Sequence, residues 1–415
     1  MAILRVFKFG GASVKDADGL RRVAQILRSQ QGQIIVVVSA MGKITNALEK
    51  LVPKLNDTDA EKLIKEIEEY HYQITQACIT HSHKEIITTI LQEKFSELRK
   101  LVKEYPFNNY DERYDQLVSY GEIISTHIVS CFLSDEGITN TWIDARKLIC
   151  TDANYCDGKV DFPKTEKCFG ALTKSDIIIT QGFIGYAPDG KTTTLGREGS
   201  DYTAAIIAYC TNAKSVTIWK DVPGVLNADP KQFSDTIKIA RLSYQDAIEL
   251  AYYGASVIHP KTIKPLQNKN IPLYVKPFME SDAEGTCIDA DNTPLTTPCF
   301  ISKTNQALLS LSPKDFSFIA EENLSFIFDT FAKLKVKVNM MQHSAINFSV
   351  CFDNGSSKLP KLLDAFQDNY RVLYNNNVEL FTIRYYDQAT IDKIVAGRNI
   401  LLEQRSRYTV QLVLK

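Results

Sequence analysis

The sequence predicts an α/β fold built on a mostly parallel central sheet, followed by a smaller α+β region. Short apolar strands alternate with amphipathic helices over the first two thirds of the chain, which is typical of an α/β domain. Residues 34–38 form a continuous β-branched run of the kind that is buried on both faces of a parallel sheet. Beyond residue 300 the order becomes βαββαβ, the ferredoxin-like pattern.

The chain is long enough for more than one hydrophobic core. Its 415 residues predict two or three domains. Around residues 289–298 the composition changes to Asp, Asn, Thr and Pro, which is typical of a boundary. We therefore expect one domain over residues 1–295 and a second region over residues 300–415.

Each element of the first domain follows from an apolar run or an amphipathic stretch. Residues 44–104 are charged and rich in helix-forming residues. The other expected helices lie at 16–29, 117–133, 202–210 and 243–253, and the expected strands at 4–9, 34–38, 177–180, 215–219 and 271–275.

The second region is predicted to contain one complete βαββαβ unit and part of another. The expected strands lie at 307–311, 336–341, 347–352 and 379–385, and the expected helices at 323–334 and 358–366. The last thirty residues provide one helix and one or two strands, which are too few for another complete copy.

Composition and charge exclude several classes of function. The 44% hydrophobic and 23% charged composition is that of a soluble globular protein, and a net charge of -1 argues against nucleic acid or an anionic membrane as a partner. No stretch of ~18 uncharged apolar residues is expected to span a membrane. The N-terminus runs directly into a strand, without the pattern of a signal peptide.

The nine cysteines are scattered singly, without a CxxC pair. This argues against a disulfide framework and against a zinc site, and we expect no protein-held metal. Idle or buried thiols in a reducing cytoplasm are the expected state, so a cytoplasmic location is predicted.

The first strand ends in a candidate anion site. Lys8 stands at the end of the strand, and Gly10 and Gly11 allow backbone N–H groups to turn toward a ligand at a helix entrance. The same pair of glycines also serves ordinary strand–helix turns, so both interpretations stay open for this segment alone.

Residues 185–192 match the GxxxxGK[ST] phosphate-loop pattern but are interpreted differently. That motif needs a preceding strand and a following helix. Asp189-Gly190 is instead a hairpin-turn pair between two short β-prone runs, 183–186 and 192–195. A hairpin flap is therefore predicted for this segment.

A glycine-rich loop at 195–199 leads into a helix. Ser200 or Asp201 is suited to cap that helix, and Arg197 is suited to bind a substrate carboxylate. Glu122 lies early in another helix, where it could bind an ammonium group or favour the helix dipole. Ser39 and Thr45 follow the buried strand 34–38, at the end where ligands of parallel sheets bind.

Six motifs, taken in order, resemble the aspartate kinases of the amino-acid kinase superfamily. They are KFGGASV at 8–14, VVSAMGKIT at 37–45, SYGEIIST at 119–126, TLGREGSDYTAA at 194–205, WKDVPGVLNADP at 219–230 and YYGASVIHPKT at 252–262. The similarity covers the whole chain and is weakest after residue 300.

The resemblance implies a three-layer amino-acid kinase domain, followed by a C-terminal ACT-type regulatory region. It also implies transfer of the γ-phosphoryl group of ATP to the β-carboxylate of L-aspartate, the step that opens lysine, threonine and methionine biosynthesis. Mg²⁺ would be held mainly through the ATP phosphates. The attacking carboxylate is already ionised at pH 7, so positioning and charge neutralisation would supply the catalysis.

The resemblance also implies a role for each motif residue. Lys8 would bridge the transferring phosphoryl group beside Gly10 and Gly11, and Asp201 would orient Lys8. The α-carboxylate of aspartate would be bound by Arg197 and Ser200, its ammonium by Glu122 and its polar edge by Ser39 and Thr45. The nucleotide would be bound by Lys220, Asp221, Leu226, Lys231 and the position of Ser256.

The chain departs from the family pattern at six positions. The family commonly has Thr at Ala12 and Gly at Glu198, and it often has Thr at Lys220, Tyr at Leu226, Arg at Lys231 and Lys at Ser256. Four of these positions lie on the nucleotide side. We expect Lys220 to replace the charge that is missing at Ser256, and a catalytically impaired paralogue is the alternative.

The ACT-type region implies a homodimer or higher homo-oligomer and a possible amino-acid effector, lysine or threonine. The family's lysine-binding members tend to carry acidic residues where Asn339 and Ala345 stand, so strong lysine feedback is not expected. A dimerisation module without regulation is the alternative. For the whole chain, the rival functions are another acceptor (glutamate, N-acetylglutamate or carbamate) and a non-catalytic amino-acid sensor.

Overall fold

The computed structural model describes residues 4–104, 107, 109–171, 175–255, 258–315, 317–355 and 358–415. The chain divides into two compact units. Unit 1 comprises Met1–Val225, Lys238–Ile248 and Val257–Asn292, and unit 2 comprises Leu226–Ile237, Glu249–Ser256 and Thr293–Lys415.

The strands are numbered in chain order. They are β1 (Leu4–Phe9), β2 (Gln33–Val38), β3 (Thr141–Trp142), β4 (Ile177–Gln181), β5 (Ile184–Tyr186), β6 (Thr192–Thr194), β7 (Ser215–Lys220), β8 (Val225–Leu226), β9 (Lys238–Ile239), β10 (Arg241–Ser243), β11 (Leu273–Pro277), β12 (Thr286–Asp289), β13 (Cys299–Pro313), β14 (Val338–His343), β15 (Phe348–Asp353), β16 (Tyr370–Arg384), β17 (Ile400–Arg405) and β18 (Thr409–Leu414).

The helices are numbered in the same way, and short 3₁₀ turns occur at Gly11–Val14 and Ala145–Lys147. The α-helices are α1 (Ala17–Arg28), α2 (Ile44–Glu49), α3 (Asp57–Cys78), α4 (His81–Glu104), α5 (Tyr110–Val118), α6 (Tyr120–Asp135), α7 (Phe162–Gly170), α8 (Gly199–Thr211), α9 (Tyr244–Tyr253), α10 (Pro260–Asn268), α11 (Glu321–Lys333), α12 (Lys358–Phe366) and α13 (Gln388–Val395).

Unit 1 is built on an eight-stranded sheet in the order β10-β12-β11-β7-β1-β2-β4-β3. Every pairing in it is parallel except β11 with β12. The central strands are almost entirely buried, because helices cover both faces of a parallel sheet. The predicted α/β class and mostly parallel sheet are confirmed.

Helix α1 shows how sequence and burial agree in this unit. The Asp16 side chain caps the helix by accepting a hydrogen bond from the Gly19 N–H at 2.8 Å. Leu20, Val23 and Leu27 recur at helical spacing and are buried in the core. The polar side chains between them face outward.

The topology collects four strand ends at one edge of the sheet. Strands β7, β1, β2 and β4 are parallel neighbours, so their carboxyl ends lie side by side. The residues at or just after these ends are Lys220, Gly10, Ser39 and Gly182. In an open α/β sheet this edge is where ligands bind.

The phosphate-loop look-alike is a hairpin. Strands β5 and β6 pair antiparallel, with Tyr186 opposite Thr192, and Gly190 has the positive φ of 80° that such a turn requires. The sequence interpretation of this segment is confirmed.

Unit 2 contains a six-stranded antiparallel sheet in the order β14-β15-β13-β16-β18-β17. The four strands β14, β15, β13 and β16, with α11 and α12, form the predicted βαββαβ unit. Strands β17 and β18 extend the same sheet, and α13 precedes them in the chain. Strands β13 and β16 are fifteen residues long each and run through both parts.

One stretch of unit 1 is long and apolar enough to cross a membrane by length and composition alone. It is Tyr110–Asp135, which contains α5 and α6, and 83% of its most apolar window is buried within the structure. The helix expected at 117–133 lies within this stretch. Such burial is typical of a core helix of a globular domain.

Candidate active site

A cavity of about 690 Å³ opens at the carboxyl edge of the unit 1 sheet. We refer to it as the central cavity. Nine of the residues predicted from the motifs line it: Lys8, Gly11, Ser39, Thr45, Glu122, Arg197, Ser200, Asp201 and Lys220. Residues that are far apart in the sequence are therefore brought together in one cavity.

The first wall of the central cavity is an ion cluster centred on Asp201. The Lys8 Nζ lies 2.6 Å from one carboxylate oxygen of Asp201, and the Lys220 Nζ lies 3.3 Å from the other. Lys8 comes from β1, Lys220 from the end of β7 and Asp201 from the first turn of α8. Lys8 and Asp201 are both buried.

The charges in this cluster support one another. Burial alone would raise the pKa of Asp201, but the two ammonium groups outweigh it and lower that pKa. Asp201 is therefore an ionised group between two lysines. It fixes the Lys8 ammonium in a direction set by α8, and the cluster carries one net positive charge toward the cavity.

The turn after β1 supports this wall. A Cβ at Gly11 would lie 2.5 Å from the Ala40 carbonyl oxygen and 2.9 Å from that of Gly42, so only glycine fits there. Gly10 lies beside the cluster, because a Cβ built there would stand 3.4 Å from the Lys8 Nζ. Gly10 thus adjoins the ammonium group, and Gly11 packs the turn against the residues that follow β2.

The second wall contains a buried carboxylate that lacks a full set of partners. Glu122, in the first turn of α6, is 3% exposed. Its Oε1 accepts a hydrogen bond from the Ala40 N–H at 3.2 Å, and its Oε2 has no hydrogen-bond partner among the described residues. Burial raises the pKa of Glu122 to about 8.

Helix α6 is held against the residues that follow β2. The Ser125 hydroxyl donates to the Ser39 carbonyl oxygen at 2.7 Å, which fixes the backbone of Ser39. A Cβ at Gly121 would approach the Ala40 Cβ to 2.9 Å, so glycine permits this contact. Glu122 and Ser39 therefore occupy one rigid corner of the cavity.

The loop before α8 contributes the third wall. Ser200 is buried, and Arg197 is exposed at the mouth of the cavity. Glu198 adopts φ 54° and ψ 30°, the left-handed conformation that favours glycine. This conformation explains why glycine is common at this position in the family pattern.

Several residues in and next to the central cavity were not predicted from the sequence. Glu49 lies one turn after Thr45 on α2, a spacing that places both on one helix face, and its carboxylate accepts a hydrogen bond from Tyr114 at 2.9 Å. Asp115 does not line the cavity itself; it is fully buried next to it and accepts hydrogen bonds from the backbone N–H and the hydroxyl of the lining residue Thr194, at 2.8 and 2.6 Å. Burial raises the pKa of Asp115 to about 6. No motif marked these residues.

Of the residues predicted to bind the nucleotide, only some lie at or near the central cavity. Lys220 lines the central cavity, and Asp221 lines a neighbouring cavity of about 640 Å³ with Ala12 and Ser13. Leu226 and Lys231 belong to unit 2, and Ser256 lies outside the described residues. The roles of these three residues stay predictions.

Comparison with known proteins agrees with the motifs. The family model described as the amino acid kinase family matches residues 4–277. The lysine-sensitive aspartokinase 3 of Escherichia coli (strain K12) is 31% identical over 368 residues, which cover 86% of this chain and 80% of that protein. A bifunctional aspartokinase/homoserine dehydrogenase 2 of Arabidopsis thaliana is 30% identical over 88% of this chain, which spans only 42% of that relative.

A solved structure agrees as well. The crystal structure of E. coli aspartokinase III in complex with aspartate and ADP matches with a TM-score of 0.82 and 27% identity, covering 99% of this chain and 96% of that chain. The resemblance drawn from the six motifs is thereby confirmed. The chain belongs to the amino acid kinase family and, within it, to the aspartokinases.

Proposed function

We propose that this protein is an aspartate kinase that transfers the γ-phosphoryl group of ATP to the β-carboxylate of L-aspartate. The observation that carries the proposal is the pairing of two unlike walls in one cavity. A lysine pair faces it on one side, and an incompletely partnered carboxylate faces it on another. For an amino acid that is phosphorylated on its side-chain carboxylate, the lysine pair would serve the phosphoryl group and the carboxylate would bind the substrate ammonium.

Glu122 is the proposed ligand of the substrate ammonium. A buried carboxylate oxygen without a partner is costly, and an ammonium group would supply both charge and donors. The ligand-free carboxyl group holds a proton near neutral pH, since its pKa is about 8. Binding of the ammonium therefore displaces that proton.

Arg197 and Ser200 are the proposed ligands of the α-carboxylate, with Ser39 and Thr45 at the polar edge of the substrate. All four line the same cavity as Glu122. The N-terminus of the thirteen-residue helix α8 adds partial positive charge on this side. An exposed arginine at the mouth suits a bidentate carboxylate contact that forms on binding.

Lys8 is the proposed catalytic residue. Its ammonium, beside Gly10 and Gly11, would neutralise charge on the transferring phosphoryl group while Asp201 keeps it oriented. The substrate carboxylate attacks without prior deprotonation, so the site needs no general base. Transfer forms the bond between the carboxylate oxygen and γ-phosphorus and breaks the bond to the β,γ-bridging oxygen, giving 4-phospho-L-aspartate and ADP.

Mg²⁺ is proposed to act as part of the nucleotide substrate. The described residues contain no group of three or more His, Cys, Asp or Glu side chains arranged to hold a metal ion. Asp201, the carboxylate nearest Lys8, is already neutralised by two lysines. Coordination mainly through ATP phosphates fits this donor set.

On the nucleotide side, we assign Lys220, Asp221, Leu226, Lys231 and the position of Ser256 to ATP binding. Lys220 supports this most directly, because its ammonium joins the Asp201 cluster at the end of β7. A cation there would substitute for the lysine that the family often has at the position of Ser256.

The C-terminal region from residue 300 is proposed to be an ACT-type regulatory and dimerisation module, and residues 1–295 the catalytic domain. Within unit 2, Asn339 is engaged by its own neighbours. Its carbonyl oxygen accepts from the Lys303 Nζ at 2.9 Å, and its amide donates to Gln306 and Asp353 at 2.8 and 2.9 Å. An effector ammonium would have to displace the internal ammonium of Lys303.

Strong feedback by lysine is therefore not proposed for this chain, although one relative is named as lysine-sensitive. Titrating lysine and threonine against activity tests this view. Half-inhibition by lysine well below 1 mM would contradict it. Inhibition by neither amino acid would favour a dimerisation module without regulation.

A cytoplasmic location and a homodimeric or higher state are also part of the proposal. The scattered free thiols suit a reducing compartment. Light scattering on the purified full chain would test the oligomeric state, and a monomer at micromolar concentration would contradict it.

An ATP-dependent hydroxamate assay tests the activity itself. Acyl phosphates react with hydroxylamine, so aspartate, glutamate and N-acetylglutamate are compared as acceptors. Activity with aspartate alone is expected. Preference for another acceptor would replace the proposed substrate, and no product from any acceptor would favour an amino-acid sensor.

A further inference from the structure

Two thiols of unit 1 lie in van der Waals contact at a place that the kinase reaction does not use. The Sγ atoms of Cys150 and Cys168 are 3.9 Å apart. Cys150 is buried, and Cys168, near the end of α7, is partly exposed. A disulfide requires about 2.05 Å between sulfurs, so a relative shift of roughly 2 Å would close the bond.

The backbone keeps these thiols facing each other. The Cys150 N–H donates to the hydroxyl of Thr165 on α7 at 3.1 Å, and the Asp161 N–H at the start of α7 donates to the Cys150 carbonyl oxygen at 2.8 Å. Cys168 lies three residues after Thr165, on the same helix face. The contact between the sulfurs therefore follows from two fixed hydrogen bonds.

We propose that Cys150 and Cys168 form a reversible disulfide on reaction with low-molecular-weight disulfides. This inference does not depend on the kinase activity. The Cys168 thiolate attacks a disulfide such as oxidised glutathione, which forms a mixed disulfide and releases one glutathione thiolate. The Cys150 thiolate then attacks the Cys168 sulfur and expels the second glutathione. Two protons leave the protein thiols, and one disulfide has been exchanged for another.

The surroundings of the two sulfurs suit these roles. The Cys150 Sγ donates to the Tyr186 hydroxyl at 3.1 Å, and a phenol can reverse its role and donate to a thiolate. Burial, with Cys150 beside it, raises the pKa of the Cys168 thiol. The thiolate fraction at pH 7 is therefore small, so oxidation is slow near neutrality and faster in alkaline buffer.

The cross-link would connect α7 to a wall of the central cavity. Thr151, next to Cys150, hydrogen-bonds the Tyr186 carbonyl oxygen and the Thr193 hydroxyl, the latter at 2.6 Å. Thr194, the next residue of β6, lines that cavity. Through Thr151, the disulfide would thus restrain the β5–β6 hairpin close to the active site, although neither cysteine is one of the proposed site residues.

The test is to treat the reduced full chain with oxidised glutathione at pH 8, block remaining thiols with N-ethylmaleimide, and map tryptic peptides by mass spectrometry. We expect peptide 148–159 joined to peptide 168–174, with fragmentation assigning the bond to Cys150, and complete reversal by dithiothreitol. C156S removes the other cysteine of the first peptide and should leave the link intact.

Two further variants separate the steps. C150S should accumulate a stable glutathione adduct on Cys168, and C168S should give neither adduct nor link on this pair. The melting temperature of each variant verifies folding, and Cys168 is a tolerant position because it is partly exposed.

Three outcomes would overturn the proposal. One is a glutathione adduct on Cys168 that persists in the wild type without a cross-link. Another is a link from Cys168 to a different cysteine, such as Cys156 or Cys210. The third is an unmodified Cys168 under conditions in which Cys287, also partly exposed, is labelled.

Discussion

Asp201 and Glu122, the two buried carboxylates of the central cavity, are equally buried, but their pKa values are shifted in opposite directions. Each is 3% exposed. Burial raises the pKa of both, but Asp201 has two lysines within 3.3 Å that reverse the effect. For Glu122, the charge of Lys8 lowers the pKa only slightly, and burial remains the dominant influence. Burial thus disfavours the ionised form of both carboxylates, and nearby cations compensate for this only at Asp201.

The difference indicates which wall is complete and which awaits a ligand. In the Asp201 wall, the two lysines neutralise the carboxylate and leave one positive charge in excess. This excess charge suits the binding of phosphate groups. The Glu122 wall holds a proton that a substrate ammonium can replace.

The largest effect is expected for Lys8→Met, which removes the buried ammonium and leaves its volume filled. We expect kcat to fall by about 10³-fold, because a preorganised cation at the transferring group is lost and Asp201 loses a partner. Lys62→Met, at an exposed lysine on α3, is the control. A loss of less than tenfold with intact folding would show that Lys8 is not the phosphoryl ligand.

Glu122→Gln tests the opposite wall. A neutral amide of the same shape should raise the KM for aspartate by about 10- to 150-fold, the loss of one charge-assisted hydrogen bond, with a smaller change in the KM for ATP. Glu69→Gln, on the exposed side of α3, serves as the control. Equal changes in both KM values would contradict a specific ammonium contact.

Lys220→Ala removes the outer cation of the Asp201 wall. We expect the KM for ATP to rise about tenfold and the KM for aspartate to change less, because Lys220 lies on the nucleotide side. Initial rates over a grid of both substrates separate the two constants. Equal effects on both would mean that Lys220 does not replace the charge missing at Ser256.

A smaller effect, on stability, is expected in the loop before α8. Glu198→Gly should be about 1 kcal/mol more stable than Glu198→Ala, because glycine alone adopts the left-handed conformation without cost. Both variants lack the carboxylate, so thermal unfolding of the pair isolates the backbone contribution. Equal melting temperatures would argue against strain at this position.

Much of the fold could be predicted from the sequence where a buried apolar run ends in glycine or a turn pair. The predicted strand at 4–9 and hairpin around Asp189-Gly190 coincide with β1 and with β5–β6. The long strands β13 and β16 were predicted only in part. Register shifts between Lys303 and Leu308, with Asn305 at positive φ, break the alternation on which the prediction depended.

The candidate site was predictable to the extent that its residues belong to motifs. Lys8, Glu122 and Asp201 were found in this way, and the structure brings them to one cavity. Tyr114, which lines the cavity, and Asp115, which binds the lining residue Thr194, were not, since a buried carboxylate and a tyrosine on a polar helix carry no local signal. Helix α10, which begins at Pro260 and contains a second proline, was also missed because proline argues against a helix interior.

The pH dependence of stability should distinguish the two carboxylates. Glu122 has a raised folded-state pKa, so the folded protein binds its proton more tightly and the wild type should lose stability relative to Glu122→Gln as pH rises from about 4.5 to 8. Asp201 has a lowered pKa, so its contribution is lost as pH falls.

The most direct test of the central claim is the proton released when aspartate binds. Isothermal titration at pH 7, in two buffers of different ionisation enthalpy, measures this number. Because the ligand-free Glu122 has a pKa of about 8 and must ionise to bind an ammonium group, close to one proton should leave per aspartate bound in the wild type and none in Glu122→Gln. Equal proton release by both proteins would contradict the assignment of Glu122 to the substrate ammonium.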